Sequence, residues 1–154
     1  MLQSGTRLDL GTDPNPSQPD RKISPSDRFS GGFIRIIPGP QTCLFSSQTV
    51  ERFLNTRFQR SPQANRQGVR LDGADPFAAQ IPAGLASEFI TTGDIQMTGQ
   101  GVPYVLLAEC QTIGGYPRIA TVIPADIPKM AQAPVGSMIE FDLIPLEQAD
   151  HDCI

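Results

Sequence analysis

The sequence predicts a mainly β protein, a sandwich or closed barrel of many short strands with one or two short helices. Glycine and proline together account for 29 of the 154 residues, about 19% against a usual share of roughly 12%. Short runs of β-forming residues alternate with these turn-forming residues along most of the chain. A barrel or sandwich protects the sheet edges that would otherwise pair with other chains.

Residues 1–31 differ from the rest of the chain, because they hold four prolines and few large apolar side chains. Leu8 and Leu10 alternate with polar residues, which predicts one short strand. Residues 11–30 predict a Pro-rich linker or surface loop, since their few apolar side chains cannot offset the entropy lost on ordering. We therefore expect a partly ordered N-terminal segment over 1–31 and one domain over 32–146.

This domain opens with a β-branched run at 33–37, and the Pro38-Gly39-Pro40 turn ends the predicted strand. Residues 46–57 predict the clearest helix, in which Ser46 or Ser47 accepts a hydrogen bond from a free backbone N–H of the first turn. Four apolar side chains recur at the spacing of one buried helical stripe: Val50, Phe53, Leu54 and Phe58.

The rest of the domain is dominated by short β-forming runs. Six of them predict strands, at 69–71, 88–91, 94–97, 103–108, 119–123 and 138–144. Residues 126–132 predict one or two helical turns, since Pro128 suits an early helical position. The polar end of the chain, 147–154, predicts a flexible tail.

Charge and composition exclude several classes of protein. Lys plus Arg is 12 and Asp plus Glu is 16, giving a net charge of −4, so nonspecific binding to nucleic acid is not expected. No apolar run approaches the roughly 20 residues that span a bilayer, and no secretory signal is visible. Three widely separated cysteines, Cys43, Cys110 and Cys153, form neither a disulfide framework nor a metal knuckle. They predict reduced thiols in a cytoplasmic protein.

The only histidine, His151, is the fourth residue from the end of the sequence, in an acidic, polar segment. A Cys-His or Ser-His mechanism and a histidine-based metal site therefore lack a suitable group. No spacing singles out a pair of carboxylates. The sequence accordingly predicts no metal and identifies no catalytic residue.

The first candidate cluster spans residues 65–73 and contains Arg66 and Arg70. Arginine presents a rigid fork of donors that suits a carboxylate or a phosphate. Arg70 is expected on the opposite face of a strand from its apolar neighbours. The alternative is that either arginine pairs with Asp72 or Asp75 at the surface, where such pairs contribute little.

The second cluster follows one predicted strand and precedes another, over residues 109–118. Gln111 and Thr112 offer donors and acceptors without charge. The Gly114-Gly115 link predicts a hairpin turn, and the same glycines would let a ligand approach backbone N–H groups closely. Both interpretations are open on the local sequence.

The third cluster, over residues 93–101, has glycines without the spacing of a phosphate-binding loop and predicts an ordinary loop between strands. Gln96 is its exception. An amide between Ile95 and Met97 in an apolar strand is expected to face a partner or a cavity.

These segments, in this order, resemble the biotin-dependent carboxyltransferase-like family. The family is also called allophanate hydrolase subunit 2, urea amidolyase-related or KipA-like, and it includes the C subunit of bacterial 5-oxoprolinase. The resemblance runs from about residue 32 to about residue 144, through segments 35–41, 61–73, 87–97 and 111–126. Its most specific part is the Gln-Thr-x-Gly-Gly-Tyr-Pro pattern that begins at Gln111. Residues 2–11 are similar to a segment from the middle of the family's sequence, so we expect a C-terminal half that partners a missing N-terminal half.

The resemblance implies a cyclophilin-like β-barrel that pairs with a second cyclophilin-like subunit, KipI-like or the B subunit of 5-oxoprolinase. Together with the A subunit of 5-oxoprolinase, such proteins open 5-oxoproline to glutamate at the expense of ATP. An alternative is a carboxyltransferase half that acts on carboxybiotin and urea or a similar amide. A third is a KipA-like regulator that binds a kinase inhibitor protein and does no chemistry. No cofactor is assigned to this chain directly.

The resemblance and the donor chemistry together imply a shared substrate-binding hollow. Its expected lining is Arg66 and Arg70 for an anion, Gln96 and Gln111 for an amide, Thr112, Gly114 and Gly115 as a backbone wall, and Tyr116 as one side of the cleft. The family usually has Asp where this chain has Asn65 and Arg where it has Cys110. Two charged groups are therefore absent from the expected site.

Overall fold

The computed structural model describes residues 3–9, 11–12, 24, 29–73, 75–77 and 85–151. These residues form nine strands and three α-helices, with 3-10 turns at Thr42–Leu44 and Pro124–Asp126. In chain order they are β1 (Gly32–Pro38), α1 (Ser47–Leu54), β2 (Phe58–Ala64), β3 (Gly68–Asp72), β4 (Glu88–Phe89), β5 (Asp94–Met97), β6 (Pro103–Leu106), β7 (Ile113–Gly114), β8 (Arg118–Val122), α2 (Ile127–Gln132), β9 (Met138–Leu143) and α3 (Leu146–His151).

Seven strands close into a barrel in the order β1-β8-β5-β6-β3-β2-β9. Strands β1 and β9 pair in parallel and close the barrel, whereas the other neighbours are antiparallel. Strands β4 and β7 form a separate two-stranded sheet. The prediction of a mainly β, cyclophilin-like barrel with short helices is confirmed.

The inside of the barrel is apolar because successive side chains of a strand point to opposite faces. In β3, Val69 and Leu71 are buried while Arg70 between them is only half-buried, as the sequence predicts. In β5, Ile95 and Met97 are fully buried members of the same core. Alternation therefore gives each strand one face for the core and one for the surface.

Helix α1 begins at its predicted cap, since the Ser46 hydroxyl accepts a 3.1 Å hydrogen bond from the Thr49 backbone N–H. It ends at Leu54, before the predicted limit of 57, because Asn55 caps it with backbone and side-chain hydrogen bonds to the Glu51 carbonyl. Phe58, predicted on the helical stripe, therefore belongs to β2 instead.

Four phenylalanines join α1 to the barrel. Their ring centroids lie 5.0–6.0 Å apart in five pairs among Phe53, Phe58, Phe77 and Phe141. The Arg52 guanidinium lies 4.4 Å from the centroid of the Phe77 ring and donates to the Asp75 and Pro76 carbonyls. Arg52 thereby holds the segment 75–77 against the core.

One prediction for the middle of the chain requires correction, and one strand there was missed. The Gly114-Gly115 hairpin is wrong, because β6 and β8 are not neighbours and both pair with β5. Gly114 instead lies in β7, opposite Glu88 of β4, and neither glycine has a positive φ. Strand β2 was not predicted, since its proline and polar residues obscure its alternation.

The ends of the chain also differ from expectation. Within the predicted tail of 147–154, α3 runs from Leu146 to His151 and buries Ala149 against Ile123 and Ile144. Residues 152–154 lie outside the described part of the chain. Leu8 is exposed and belongs to no strand among residues 3–9, and Leu10 lies outside the described residues. No described helix is long and apolar enough to cross a bilayer.

A bidentate ion pair fastens β1 to the turn that leads into α2. Arg35 Nη2 lies 2.8 Å from Asp126 Oδ1, Arg35 Nε lies 3.0 Å from Asp126 Oδ2, and the Arg35 backbone N–H also donates to Oδ2 at 2.8 Å. Burial acts to raise the Asp126 pKa, but the hydrogen bonds from Arg35 and the positive charges of Arg35 and Lys129 outweigh it. The pKa of Asp126 therefore lies below its ordinary value.

The aromatic cluster predicts a large effect of Phe53→Ala. Phe53 is 1% exposed and contacts the other three rings, so removing its ring should lower the free energy of unfolding by about 3–5 kcal/mol. Urea denaturation measures the difference. Phe33→Ala, at an exposed position of β1, is the control and should lose less than about 1 kcal/mol. Equal losses in the two variants would contradict the assigned core.

The ion pair predicts a pH dependence for Asp126→Asn. A lowered folded-state pKa means that the ionised carboxylate stabilises the fold above the unfolded value near 3.9, and that this stability is lost as the pH falls through the folded-state pKa. The variant should therefore be less stable than wild type by about 1–3 kcal/mol at pH 7, with the gap closing below about pH 4. Denaturation midpoints across this range measure the gap.

Asp9→Asn is the matched control, because Asp9 is exposed and lies in no strand. Its denaturation midpoints should follow those of wild type at every pH. A gap for Asp126→Asn that persists unchanged into acid would contradict the assignment of the stabilisation to the ionised carboxylate.

Candidate functional site

One large cavity lies against the outer face of the barrel, with a volume of about 660 Å³. Five side-chain amides line it, from Gln63, Asn65, Gln67, Gln96 and Gln111. Three hydroxyls and a thiol add to its polar lining, from Thr98, Tyr104, Tyr116 and Cys110. No charged side chain is among the described residues that line it. The cavity is therefore rich in donors and acceptors yet formally neutral.

The floor of the cavity includes Gln96 of β5 and Tyr104 of β6, which lie opposite each other. The same row of residues continues beyond the cavity to Arg70 of β3, which lies opposite Tyr104. All three alternate with core residues and so point away from the barrel interior. Gln96 is nonetheless only 8% exposed, and its Nε2 has no hydrogen-bond partner in the described part of the protein.

The first wall comes from the end of β2 and the turn into β3. The Asn65 side-chain oxygen accepts hydrogen bonds from the backbone N–H groups of Gln67, at 2.8 Å, and Gly68, at 3.2 Å. The Gln63 side-chain oxygen accepts a 3.1 Å hydrogen bond from Arg70 Nη1. Two of the wall's amides are thus held by defined partners, one in a local turn and one by an arginine.

The second wall comes from the β4–β7 sheet and the residues around it. Gly114 approaches the floor so closely that a Cβ there would lie 2.8 Å from Gln96 Nε2 and 3.0 Å from Ile90 Cδ1. Gly115 has more room, since a Cβ there would meet only the Ser87 hydroxyl at 3.4 Å. Gly114 therefore lets this wall approach the side-chain ends of Gln96 and Ile90 closely, and its backbone angle is not unusual.

A buried guanidinium holds this second wall in place. The side chain of Arg118 is 7% exposed and lies 2.6 Å from Glu88 Oε2 and 3.4 Å from Asp94 Oδ2. Its Nη1 also donates to the Phe89 carbonyl at 2.7 Å, and its Nε donates to Gln41 Oε1 at 3.2 Å. Through Glu88 and Phe89, Arg118 anchors β4, and β4 carries β7 on its edge.

The two arginines predicted to bind an anion lie beside the cavity and not in its lining. Arg66 Nε lies 2.8 Å from Glu109 Oε1, with side chains 78% and 54% exposed. Arg70 Nε lies 2.7 Å from Asp72 Oδ1, which is the surface pairing considered as the alternative. Both guanidinium groups already have carboxylate partners, and an anion-binding role for either stays a prediction.

The structure brings together the other predicted site residues with one exception. Gln96, Gln111, Gly114, Gly115 and Tyr116 all line the cavity. Thr112 does not, but its carbonyl accepts a 3.1 Å hydrogen bond from the Ile90 backbone N–H and so helps to build the wall.

Several cavity residues were not identified from the sequence. Gln63 lies in β2, a strand that was not predicted, and Gln67 lies in the turn between β2 and β3. Tyr104 is brought to the floor by its pairing with Gln96. Arg118 carried one available signal, a charged residue at the start of the apolar strand 119–123. A buried charge at such a position requires carboxylate partners, which the sequence alone does not locate.

Asn65 and Cys110, where the resemblance implies an Asp and an Arg, both belong to the cavity lining. Cys110 is a half-buried free thiol. Within the described residues, no group of three or more His, Cys, Asp or Glu side chains could hold a metal ion. The chemistry that this lining supports is hydrogen bonding to a neutral polar ligand.

Comparisons with known proteins agree with this architecture. Residues 1–143 match the family model for the carboxyltransferase domain, subdomain A and B. The chain is 35% identical to the 5-oxoprolinase C subunit of Escherichia coli K12 over 149 residues, which cover 97% of this chain and 47% of that protein. It is 33% identical over 116 residues to the 5-oxoprolinase C subunit of Haemophilus influenzae, covering 75% of this chain and 37% of that protein.

Among solved structures, the K. lactis urea amidolyase superposes with a TM-score of 0.71 over 84% of this chain and 8% of that one. At 24% sequence identity, this likeness concerns the fold alone. The chain spans about half the length of the Escherichia coli relative and less of the Haemophilus influenzae relative. On its match to the family model and its identity to these relatives, the chain belongs to the family of carboxyltransferase domains, subdomain A and B.

Proposed function

We propose that this chain is a subunit of an ATP-dependent 5-oxoprolinase complex, in which its cavity binds the lactam ring of 5-oxoproline for opening to glutamate. The observation that carries the proposal is the uncharged, amide-rich lining of the cavity. The names of the two bacterial relatives, both of them C subunits of 5-oxoprolinase, support the choice of substrate.

The chemistry of a lactam suits this lining. A lactam edge presents one carbonyl acceptor and one N–H donor, and a side-chain amide presents the complementary pair. Gln96 on the floor and Gln111 on the wall face the same space, so the ring can be held by neutral hydrogen bonds. The volume lies within the usual 300–1,000 Å³ of small-molecule sites, which leaves room for a group supplied by a partner.

This chain's part in the reaction is binding and orientation. Opening a stable amide requires activation, which we assign to ATP and to the other proteins of the complex. Those partners are a second cyclophilin-like protein, the B subunit of 5-oxoprolinase, and the A subunit of the same enzyme. The exposed apolar pair Phe89 and Ile113, opposite each other across the β4–β7 sheet beside the cavity, is available for such contacts.

A second candidate is a carboxyltransferase half that moves carboxylate from carboxybiotin to urea or a similar amide. The family model, described as a carboxyltransferase domain, favours it. Urea is also a neutral planar amide and would meet the same side chains. The two candidates therefore share the cavity and differ in the reacting partner.

Reconstitution separates them. The purified full chain is combined with its partner subunits, ATP and 5-oxoproline, and glutamate is measured. A parallel reaction contains urea and carboxybiotin, and loss of carboxybiotin is measured. Glutamate above the level of the partner proteins alone is expected, whereas none above that level would contradict the 5-oxoprolinase function for this chain.

The variant Gln111→Ala tests the role of the wall. Loss of one neutral hydrogen bond of about 1 kcal/mol should raise the KM for 5-oxoproline roughly fivefold in the reconstituted complex. Gln48→Ala, at an exposed position of α1, is the matched control and should leave the KM unchanged. An equal KM in the Gln111→Ala and wild-type complexes would remove Gln111 from the binding site.

A further inference from the structure

We infer that Arg60, at the rim of the barrel and outside the cavity lining, receives a carboxylate from a partner protein. The inference deepens the proposed function and rests on it in one respect, since it takes the B subunit of 5-oxoprolinase as the protein that supplies the carboxylate. It is carried by the position of Arg60 in β2 and by the state of its guanidinium group.

The first argument is where β2 places Arg60. Its Cα lies opposite that of Leu71 in β3, so the two side chains share a face of the sheet, and Leu71 on that face is a buried core residue. On the other side, β2 has run past Met138, the first residue of β9. The turn before β9 holds Arg60 there, since its N–H donates to the Ser137 carbonyl at 2.9 Å and its carbonyl accepts from the Gly136 N–H at 2.8 Å. Arg60 therefore lies at the rim, where the pairing of β2 with β9 ends.

The second argument is the state of the Arg60 guanidinium. The residue is half-buried and its Nε is sealed from solvent. Neither Nε nor the two Nη nitrogens have a hydrogen-bond or carboxylate partner in the described residues. The Nη nitrogens are not sealed, so a ligand can reach the end of the fork. Every other described arginine of the barrel domain does have a partner: Arg35, Arg52, Arg57, Arg66, Arg70 and Arg118.

The third argument is charge. Arginine keeps its proton at every ordinary pH, so Arg60 cannot lose its charge as a buried lysine or histidine can. A partly buried cation without a counter-charge is costly. One guanidinium carries a single positive charge, and its fork of donors matches the two oxygens of a carboxylate. A carboxylate at the two Nη nitrogens would compensate this charge, although Nε would still have no hydrogen bond.

The fourth argument concerns the source of the carboxylate. An ion pair at a protein surface contributes less free energy than even millimolar affinity requires, so a free small carboxylate would not stay bound. A carboxylate on a protein is held there by the rest of the interface. The segment beside Arg60 suits such an interface, because Val135 is 59% and Met138 is 40% exposed, and both arginine and methionine are enriched where proteins meet.

Association with the B subunit tests the inference. The full chain and its Arg60→Met variant are each titrated with the B subunit in a calorimeter, without ATP or 5-oxoproline. Methionine keeps a flexible apolar stem and removes the charge, so the dissociation constant should rise at least about tenfold.

Arg7→Met is the matched control, because Arg7 is exposed and has no ion pair within the described part of the chain. It should bind the B subunit as the wild type does. Equal dissociation constants for the wild type and Arg60→Met, or no association of the wild type, would overturn the inference.

The stability of the isolated chain distinguishes an ion-pairing role from a structural one. Arg60→Met removes a charge that has no partner within the described residues, so the melting temperature should stay the same or rise. Loss of affinity without loss of stability is the expected pair of results. A clear fall in melting temperature would show that the guanidinium serves the fold, and it would contradict the inference.

Titration with acetate tests the source of the carboxylate. The Nε–H signal of Arg60, assigned by its loss in Arg60→Met, is followed by NMR in the full chain. We expect it to shift with a dissociation constant above about 1 mM. A smaller constant would show that a free carboxylate is sufficient, and no shift at all would show that the Nη nitrogens cannot be reached. Either result would overturn the inference.

The inference and the proposed function can fail separately. Glutamate production by the complex, with equal association of the wild type and Arg60→Met, would overturn the inference and leave the 5-oxoprolinase function standing. Weaker association of Arg60→Met without glutamate production would support the inference and overturn the proposed function.

Discussion

The buried guanidinium of Arg118 is the interaction on which the cavity depends. It joins Gln41, Glu88, Asp94 and the Phe89 carbonyl, so it fastens the small β4–β7 sheet to the barrel wall. A charge taken out of water is tolerated only with well-placed partners. Here they come from Gln41 and from residues 88–94, two segments distant from Arg118 in the sequence. Without this anchor the second wall would lose its buried ionic attachment to the barrel and keep the hydrogen bond from Gln41 Nε2 to Glu88.

Because successive side chains of a strand point to opposite faces, the barrel uses one set of residues for its core and another for the cavity. In β5, the residues on either side of Gln96 are fully buried in the core, while Gln96 itself forms the floor of an external cavity. The cavity can therefore vary its polar groups without opening a void in the core. The same alternation places Tyr104 beside Gln96 and Arg70 beside Tyr104, where Arg70 orients the amide of Gln63.

Local patterns were enough to predict a mainly β sandwich or barrel, a cap at Ser46 or Ser47, and a Gln96 that faces a partner or a cavity, because each depends on near neighbours in the chain. The choice of a cyclophilin-like barrel came from the family resemblance. The false hairpin at Gly114 has a different origin. Glycine permits a tight turn and close packing equally well, and only the pairing of β5 with both β6 and β8 decides between them. The pairing of Arg66 and Arg70 likewise depends on which carboxylates the fold brings near. Helix α3 was missed for a similar reason, because its apolar contact joins Ala149 to Ile123 and Ile144.

The parallel pairing that closes the barrel sets the order in which the chain can fold. Gly32 at the start of β1 lies opposite Ile139 in β9, more than a hundred residues further along the chain. A contact of such long range requires closure of a large loop before it contributes any stability. Proteins dominated by contacts of this kind fold on the millisecond to second timescale. During biosynthesis, the ring of strands therefore stays open until β9 has left the ribosome.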